Sequence, residues 1–287
     1  KERVMQSVET PSVKASIKSI INNKPILLMT LSQILGSFAV GGSKQDYYID
    51  VLNFASLGLI TGIPGSIINP FSYMAVPWFR RHFSSRFLYI IGNKIDGILL
   101  VPVFLVGCIG GKKHGLYKNI WVMGIAMMLW ETIFMIFYGV RRIIPTEMYN
   151  EAMDYCEWKN GYRTEGMTSV AQGLASKLAS IFSRYISNYI KQLIGYDLTR
   201  YVRGTAQTDE TKFGLFAMFT IVPFLTGMIS IIPMLFYDLS GKKKEKMYEE
   251  LLERRAAMSK EATSGDLEAL ERLAKAQMEI GNMKQEL

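Results

Sequence analysis

Charged side chains occupy positions in this sequence where a buried apolar residue would be easier to place. Between Met153 and Tyr185, Asp154, Glu157, Lys159, Arg163 and Glu165 crowd the first half, while Lys177 and Arg184 interrupt an apolar second half. Advancing about 100° per residue, Ser169, Gly173, Ser176, Lys177, Ser180, Ser183, Arg184, Ser187 and Lys191 fall within an arc of about 120°. Leu174, Leu178, Ile181, Phe182, Tyr185 and Tyr189 take the other side, so the helix has one wet face and one greasy one. An ionised lysine at bilayer depth is costly unless it meets water or a partner, which assigns Lys177 to the wall of an aqueous cavity. The alternative is pairing of Lys177 and Arg184 with acids elsewhere in a helix bundle. Lys191 is near enough to the helix end to snorkel.

Further candidates are Glu131, Lys94 and Asp96, each open to structural pairing or a functional role, and Arg141 and Arg142 near one end of an apolar run. Lys94 and Asp96 are two apart and do not share a helix face. An arginine there could receive an anionic group or anchor the chain at the membrane interface. This is chemistry of binding and moving a polar solute. Bond-breaking chemistry has no support: His82 and His114 lie in separate turns, and no HExxH, GxSxG or paired-cysteine motif occurs. Cys108 and Cys156 sit too far apart to pair, and no metal-binding spacing is present.

The elements that must position these residues are apolar helices. Of 287 residues 49% are hydrophobic, concentrated near 26–51, 53–79, 87–109, 119–146, 165–194 and 212–239, each near or above the ~20 residues that cross a bilayer. Ile120–Val140 and Phe213–Tyr237 are apolar all round, which argues against a soluble bundle. The expected fold is therefore all-α: a polytopic membrane protein with six transmembrane helices. The net charge of +8 could suggest nucleic acid, but its placement does not. Arg80, Arg81, Arg86, Arg141, Arg142, Lys242, Lys243 and Lys244 cluster on the side that also holds both termini, so the positive-inside rule puts the termini in the cytosol.

Residues 1–24 then read as a cytosolic linker, 25–240 as the membrane domain and 241–287 as a charged cytosolic tail of amphipathic helices split at Thr263, Ser264 and Gly265. Starting without Met, the polar first segment reads as the interior of a longer protein. Gly36, Gly41 and Gly42 would permit close helix contacts in the first span, with Tyr47 and Tyr48 at the membrane interface. Gly62, Pro64, Gly65 and Pro70 predict kinks in the second.

Asp154, Tyr155, Glu157, Trp158 and Lys159, then Arg163, Glu165 and Gly166, then Gln172 and Lys177, and finally Gly195 and Tyr196 carry a resemblance. In order and spacing they resemble the C-terminal half of the glycoside-pentoside-hexuronide:cation symporters, the melibiose-permease-like branch of the major facilitator superfamily. Cys156 replaces a usual glycine and Glu151 a common aspartate, and Tyr47–Leu52 looks like the end of the family's seventh helix. The resemblance implies that the spans are helices seven to twelve of a twelve-helix symporter. Its other half would hold the main acidic ligands of the coupling Na⁺ or H⁺. No other cofactor is implied, and the partners are the bilayer, a sugar or glycoside and the N-terminal half.

The resemblance also places Lys177 and Gln172 at the substrate and Asp154, Glu157, Lys159 and Arg163 in coupling or gating; on the residues alone Gly173, beside them on the polar arc, and Arg142 join the substrate candidates, and Arg184 the coupling ones. Without it, the acid–base cluster reads as a solvated loop with weak ion pairs. Family sugar sites often use an aromatic near the position of Arg142, and the sequence offers none there; an arginine would instead favour a uronide. Since one fold hosts several substrates, a lipid or sulfonated-sugar carrier and a non-transporting scaffold docking through its tail are the alternatives.

Overall fold

Ser43, Ser84, Asn119 and Thr208 each accept a hydrogen bond from a backbone N–H in the first turn that follows, which fixes where four helices begin. Asp46 completes a capping box with Ser43. The computed structural model describes residues 21–161, 163, 165–202, 206–264, 272 and 276. Among them the principal helices are α1 Lys24–Ser37, α2 Lys44–Asp50, α3 Leu57–His82, α4 Ser85–Gly107 and α5 Ile120–Ile136. There follow α6 Tyr138–Asn160, α7 Glu165–Leu193, α8 Asp209–Gly227 and α9 Gly241–Ser264, and no strand occurs among the described residues. Among the described residues three helical stretches are long and apolar enough to cross a membrane: Ser85–Gly107, Ile120–Asn160 and Asp209–Leu235.

The contacts divide the chain into two compact units. Of the described residues, an apolar unit comprises those within Ser32–Pro145 and Ser176–Ile232; a terminal unit comprises those up to Leu31, within Thr146–Ala175 and from Pro233 onward.

In the apolar unit the expected first span is not one helix. The chain leaves helical geometry after Ser37 and resumes at Lys44, and its freed backbone groups are satisfied by distant elements. Gly42 N–H donates to Met218 O (2.7 Å), Val40 N–H to Thr226 Oγ1 (3.1 Å) and Gly41 N–H to Ser187 Oγ (3.2 Å), while Ser183 Oγ donates to Ala39 O (2.7 Å). Backbone groups outside regular structure in a packed interior need such partners. Gly41 and Gly42 serve this approach: a Cβ on Gly41 would lie 2.6 Å from Pro223 Cγ.

Tyr47 and Tyr48, expected at the interface, are fully buried instead. Tyr47 packs against Phe216 and Phe219 with ring centroids 5.3 and 5.8 Å apart, and its hydroxyl donates to Tyr117 O at 2.6 Å. The phenols satisfy their polar ends inside the core, which removes the need for a wet interface. The prolines at 64, 70 and 77 do not interrupt α3. It packs on α5 and α4 packs on α8.

At the start of α6, Gly139 N–H donates to Ser72 Oγ (3.0 Å), and an added Cβ would meet Ser72 O at 2.6 Å and Tyr73 Cα at 2.9 Å. These are backbone atoms and cannot step aside. Gly139→Ala is therefore expected to cost about 2 kcal/mol of stability, read as a lower thermal midpoint of the purified protein in detergent; an unchanged midpoint would mean the helices separate freely.

The terminal unit buries Met148, Ala152, Met153 and Cys156 of α6 and Met247, Leu251 and Met258 of α9. Spacing of four and seven on α9 places the last three on one stripe. The helix continues through Thr263 and Ser264, where a break was expected; Gly265 and the second expected amphipathic helix lie outside the described residues, as do 1–20 of the linker.

Candidate functional site

In the terminal unit, α6 carries Glu151, Asp154 and Glu157 three residues apart, a spacing that keeps acids on neighbouring faces of one helix. The motif is thus helical rather than a solvated loop. Glu157 is buried and Asp154 nearly so, and two arginines meet them. Arg163 Nη1 lies 2.8 Å from Asp154 Oδ1 and 3.7 Å from Glu157 Oε2, while its Nη2 contacts Glu165. Arg255 of α9 reaches the same pair: Nη2 stands 2.8 Å from Asp154 Oδ1, and Nε donates to Glu157 Oε1 at 3.1 Å.

Lys244 pairs with Glu151, Tyr248 Oη donates to Asp154 Oδ2 (3.3 Å), and Trp158 Nε1 donates to Glu250 Oε2 (2.7 Å). The Glu157 and Asp154 carboxylates hold the Arg255 guanidinium above its ordinary pKa against the opposing effect of burial. Burial, with the Asp154 charge beside it, pushes the Tyr248 phenol up to about 12, so it remains a donor at neutral pH. Charge-assisted bonds of this kind in partly buried surroundings are the strong ones.

Lys159, expected in the cluster, stands apart and donates to Asn22 O at 3.2 Å. Arg255, Tyr248 and Glu250 were not foreseen. The signal was present: an α6 face with three acids demands cations, and Arg255 follows Leu251 by four residues on the buried stripe of α9.

In the apolar unit, Glu131 of α5 receives Lys44 Nζ at 3.1 and 3.3 Å and Thr61 Oγ1 at 3.3 Å. The Lys44 ammonium also lies over the rings of Tyr48 and Trp130, 5.9 and 5.7 Å from their centroids. Lys191 pairs with Asp46, giving the residue left as a snorkelling lysine a definite acid. Arg142 is exposed, its guanidinium 5.2 Å from the Tyr138 ring centroid and its Nε donating to Tyr138 Oη at 3.1 Å. An aromatic thus does accompany Arg142, one turn earlier on the same helix, where inspection of the single position missed it.

On α7 the polar arc divides. Ser183 and Ser187 are buried against the break at 38–43, so part of the wet face is a packing face. Lys177 and Arg184 are exposed and form no ion pair or hydrogen bond among the described residues. In the terminal unit Gln172 Nε2 donates to Thr30 Oγ1 at 2.6 Å, and Gly173, half-buried, has open space where a Cβ would stand. No group of three His, Cys, Asp or Glu side chains suited to a metal occurs among the described residues.

Comparison with known proteins gives these features a context. The model of a family described as MFS/sugar transport protein matches residues 1–241. The chain is 23% identical over 258 residues to a "Glucuronide carrier protein homolog" of Escherichia coli (strain K12), covering 88% of this chain and 52% of that protein. It is 25% identical over 260 residues to a "Putative sulfoquinovose importer" of the same strain, covering 85% and 49%. It is 24% identical over 260 residues to an "Isoprimeverose transporter" of Lactiplantibacillus pentosus, covering 89% and 50%. The chain spans about half the length of the curated relatives it matches.

Proposed function

Because this chain belongs to the MFS/sugar transport protein family, we propose that it forms the C-terminal six-helix half of a cation-coupled sugar symporter. The observation that carries this reading is the exposure of Lys177 and Arg184 on α7, without an ion pair among the described residues. Charges placed so in a membrane protein call for a water-filled cavity or a partner outside this half.

In this reading the spans expected at 26–51, 53–79 and 165–194 cross the bilayer beside the three apolar stretches, giving six. The break at 38–43 is then a discontinuous helix of the kind that builds transporter sites. Both termini are cytosolic, with 1–24 as the central linker, 25–240 as the membrane domain and α9 opening the tail of 241–287. The protein sits in the cell membrane, and its partners are lipid, the sugar and the N-terminal half, which supplies the main ligands of the coupling Na⁺ or H⁺. Lys177, Gln172, Gly173 and Arg142 serve the substrate. Asp154, Glu157, Arg163 and Arg184, with Lys159 nearby, serve coupling and gating as ion pairs that rearrange between inward and outward states.

Arg142 favours a sugar with an acidic group: a guanidinium held through Nε by the Tyr138 hydroxyl can fork its terminal nitrogens onto a carboxylate or sulfonate. Two of the relatives are named for such sugars, a glucuronide and sulfoquinovose; a third is named for isoprimeverose, which is neutral. Competition against labelled sugar uptake by the intact transporter decides the matter. Uronides are expected to inhibit at least tenfold more strongly than their neutral glycosides, a difference of about 1.4 kcal/mol. Inhibition by neutral glycosides and not by uronides would exclude an anion-receiving Arg142.

A further inference from the structure

Two arginines stand side by side on α6, and they are differently engaged. Gly92 of α4 has no side chain, and a Cβ there would lie 3.2 Å from Arg141 Cα. That close approach brings Arg141 against Asp96, one turn beyond Gly92, with Nη1 3.9 Å from Oδ2. This is an ion pair without hydrogen-bond geometry. The other oxygen, Oδ1, is buried and has no hydrogen-bond partner among the described residues. With one oxygen stripped of water and unpaired, the carboxylate depends on the Arg141 charge to stay ionised; once that charge moves away, a carboxylic acid in the same place carries no charge to desolvate.

The groups facing Asp96 from each neighbouring element are otherwise committed. On its own helix, Lys94 Nζ donates to Gly227 O at 2.6 Å. On α5, Glu131 is held by Lys44 of α2, and Trp130 Nε1 donates to the backbone oxygen of Asp96 at 3.2 Å. Toward Gly97 the α8 helix presents Phe224. Among the described residues Arg141, 5.3 Å from the Phe134 ring centroid, is the remaining cation beside Asp96 that can leave or approach. Na⁺ would need several oxygen ligands and no cation alongside, whereas a proton needs neither.

We propose that Asp96 is a proton-binding residue of the transport cycle, ionised while Arg141 faces it and protonated when Arg141 turns toward an anionic substrate. The step balances: the carboxylate takes one proton from water on the open side as its counter-cation is taken over by the sugar's acidic group, and returns it when the sugar leaves. This inference rests on the transport reading above and places a coupling group in this half of the protein.

The test is proton uptake on sugar binding by the purified intact transporter, in weakly buffered solution with a pH indicator and glucuronide as the probe. The wild type is expected to take up about one proton per sugar bound, and Asp96→Asn less than a tenth of that, with Asp96→Glu restoring it. Should Asp96→Asn not fold, Arg141→Gln serves, since it is expected to leave Asp96 protonated and remove the uptake as well. Equal uptake by the wild type and Asp96→Asn, or binding by the wild type without uptake, overturns the proposal. A wild type that binds neither glucuronide nor a neutral glycoside refutes the transport reading instead, and infrared titration then tests Asp96 directly. A protonated-carboxyl band absent from Asp96→Asn supports the site; identical spectra overturn it.

Discussion

Replacing Lys177 by alanine in the intact transporter is expected to abolish cation-driven sugar accumulation while leaving its thermal midpoint close to that of the wild type. The two halves of this expectation have one origin. Lys177 is exposed and makes no ion pair or hydrogen bond among the described residues, so its removal opens no cavity and strands no buried partner. Substitutions of that kind change stability by about 0.5 kcal/mol or less. In the proposed reading Lys177 stands on the wall of the substrate cavity and acts on whatever enters, so its loss removes an interaction with the substrate. Wild-type accumulation by Lys177→Ala would contradict the cavity assignment. A collapse in thermal stability would show instead that the lysine is a structural ion-pair partner.

The largest expected effect on stability is at Arg255. With Arg255→Ala, Glu157, whose side chain is 5% exposed, keeps Arg163, at 3.7 Å, as its cation among the described residues, and Asp154 keeps Arg163 and the Tyr248 hydroxyl. Removing one partner of a buried ion pair costs about 3 kcal/mol, most of it the penalty of leaving a charge unpaired. The thermal midpoint should fall accordingly, and Glu157→Gln in the same chain should recover part of the loss because it discharges the stranded acid. A midpoint unmoved by Arg255→Ala would mean that the Arg255 pairs are solvated and that α9 is held by its other contacts, Met247, Leu251 and Met258 among them.

The helices with clear apolar runs and polar caps were legible from the residues themselves: Ser84, Asn119 and Thr208 mark the starts of α4, α5 and α8 within a few residues of the expected spans. The break at 38–43 was not, because the groups that satisfy it, Ser183, Ser187, Met218 and Thr226, lie far along the chain. Gly41 and Gly42 announce small residues without saying that the helix stops there. The charged motif from Asp154 to Lys159 reads as a loop by polarity alone. It is helical because Ala152, Met153 and Cys156 bury one side while Arg163 and Arg255 neutralise another. For the same reason Lys177 could be placed by helical spacing, whereas the cations that hold Asp154 and Glu157 depend on tertiary contacts.

The most direct measurement is uptake of labelled glucuronide into proteoliposomes containing the intact transporter, with Na⁺ and H⁺ gradients imposed separately. A coupled symporter accumulates the sugar above its external concentration under at least one gradient and loses the accumulation when that gradient is collapsed. Sugar that never exceeds equilibrium under either gradient would contradict coupled transport, and no uptake at all would leave this chain as part of a membrane protein that does not carry sugar.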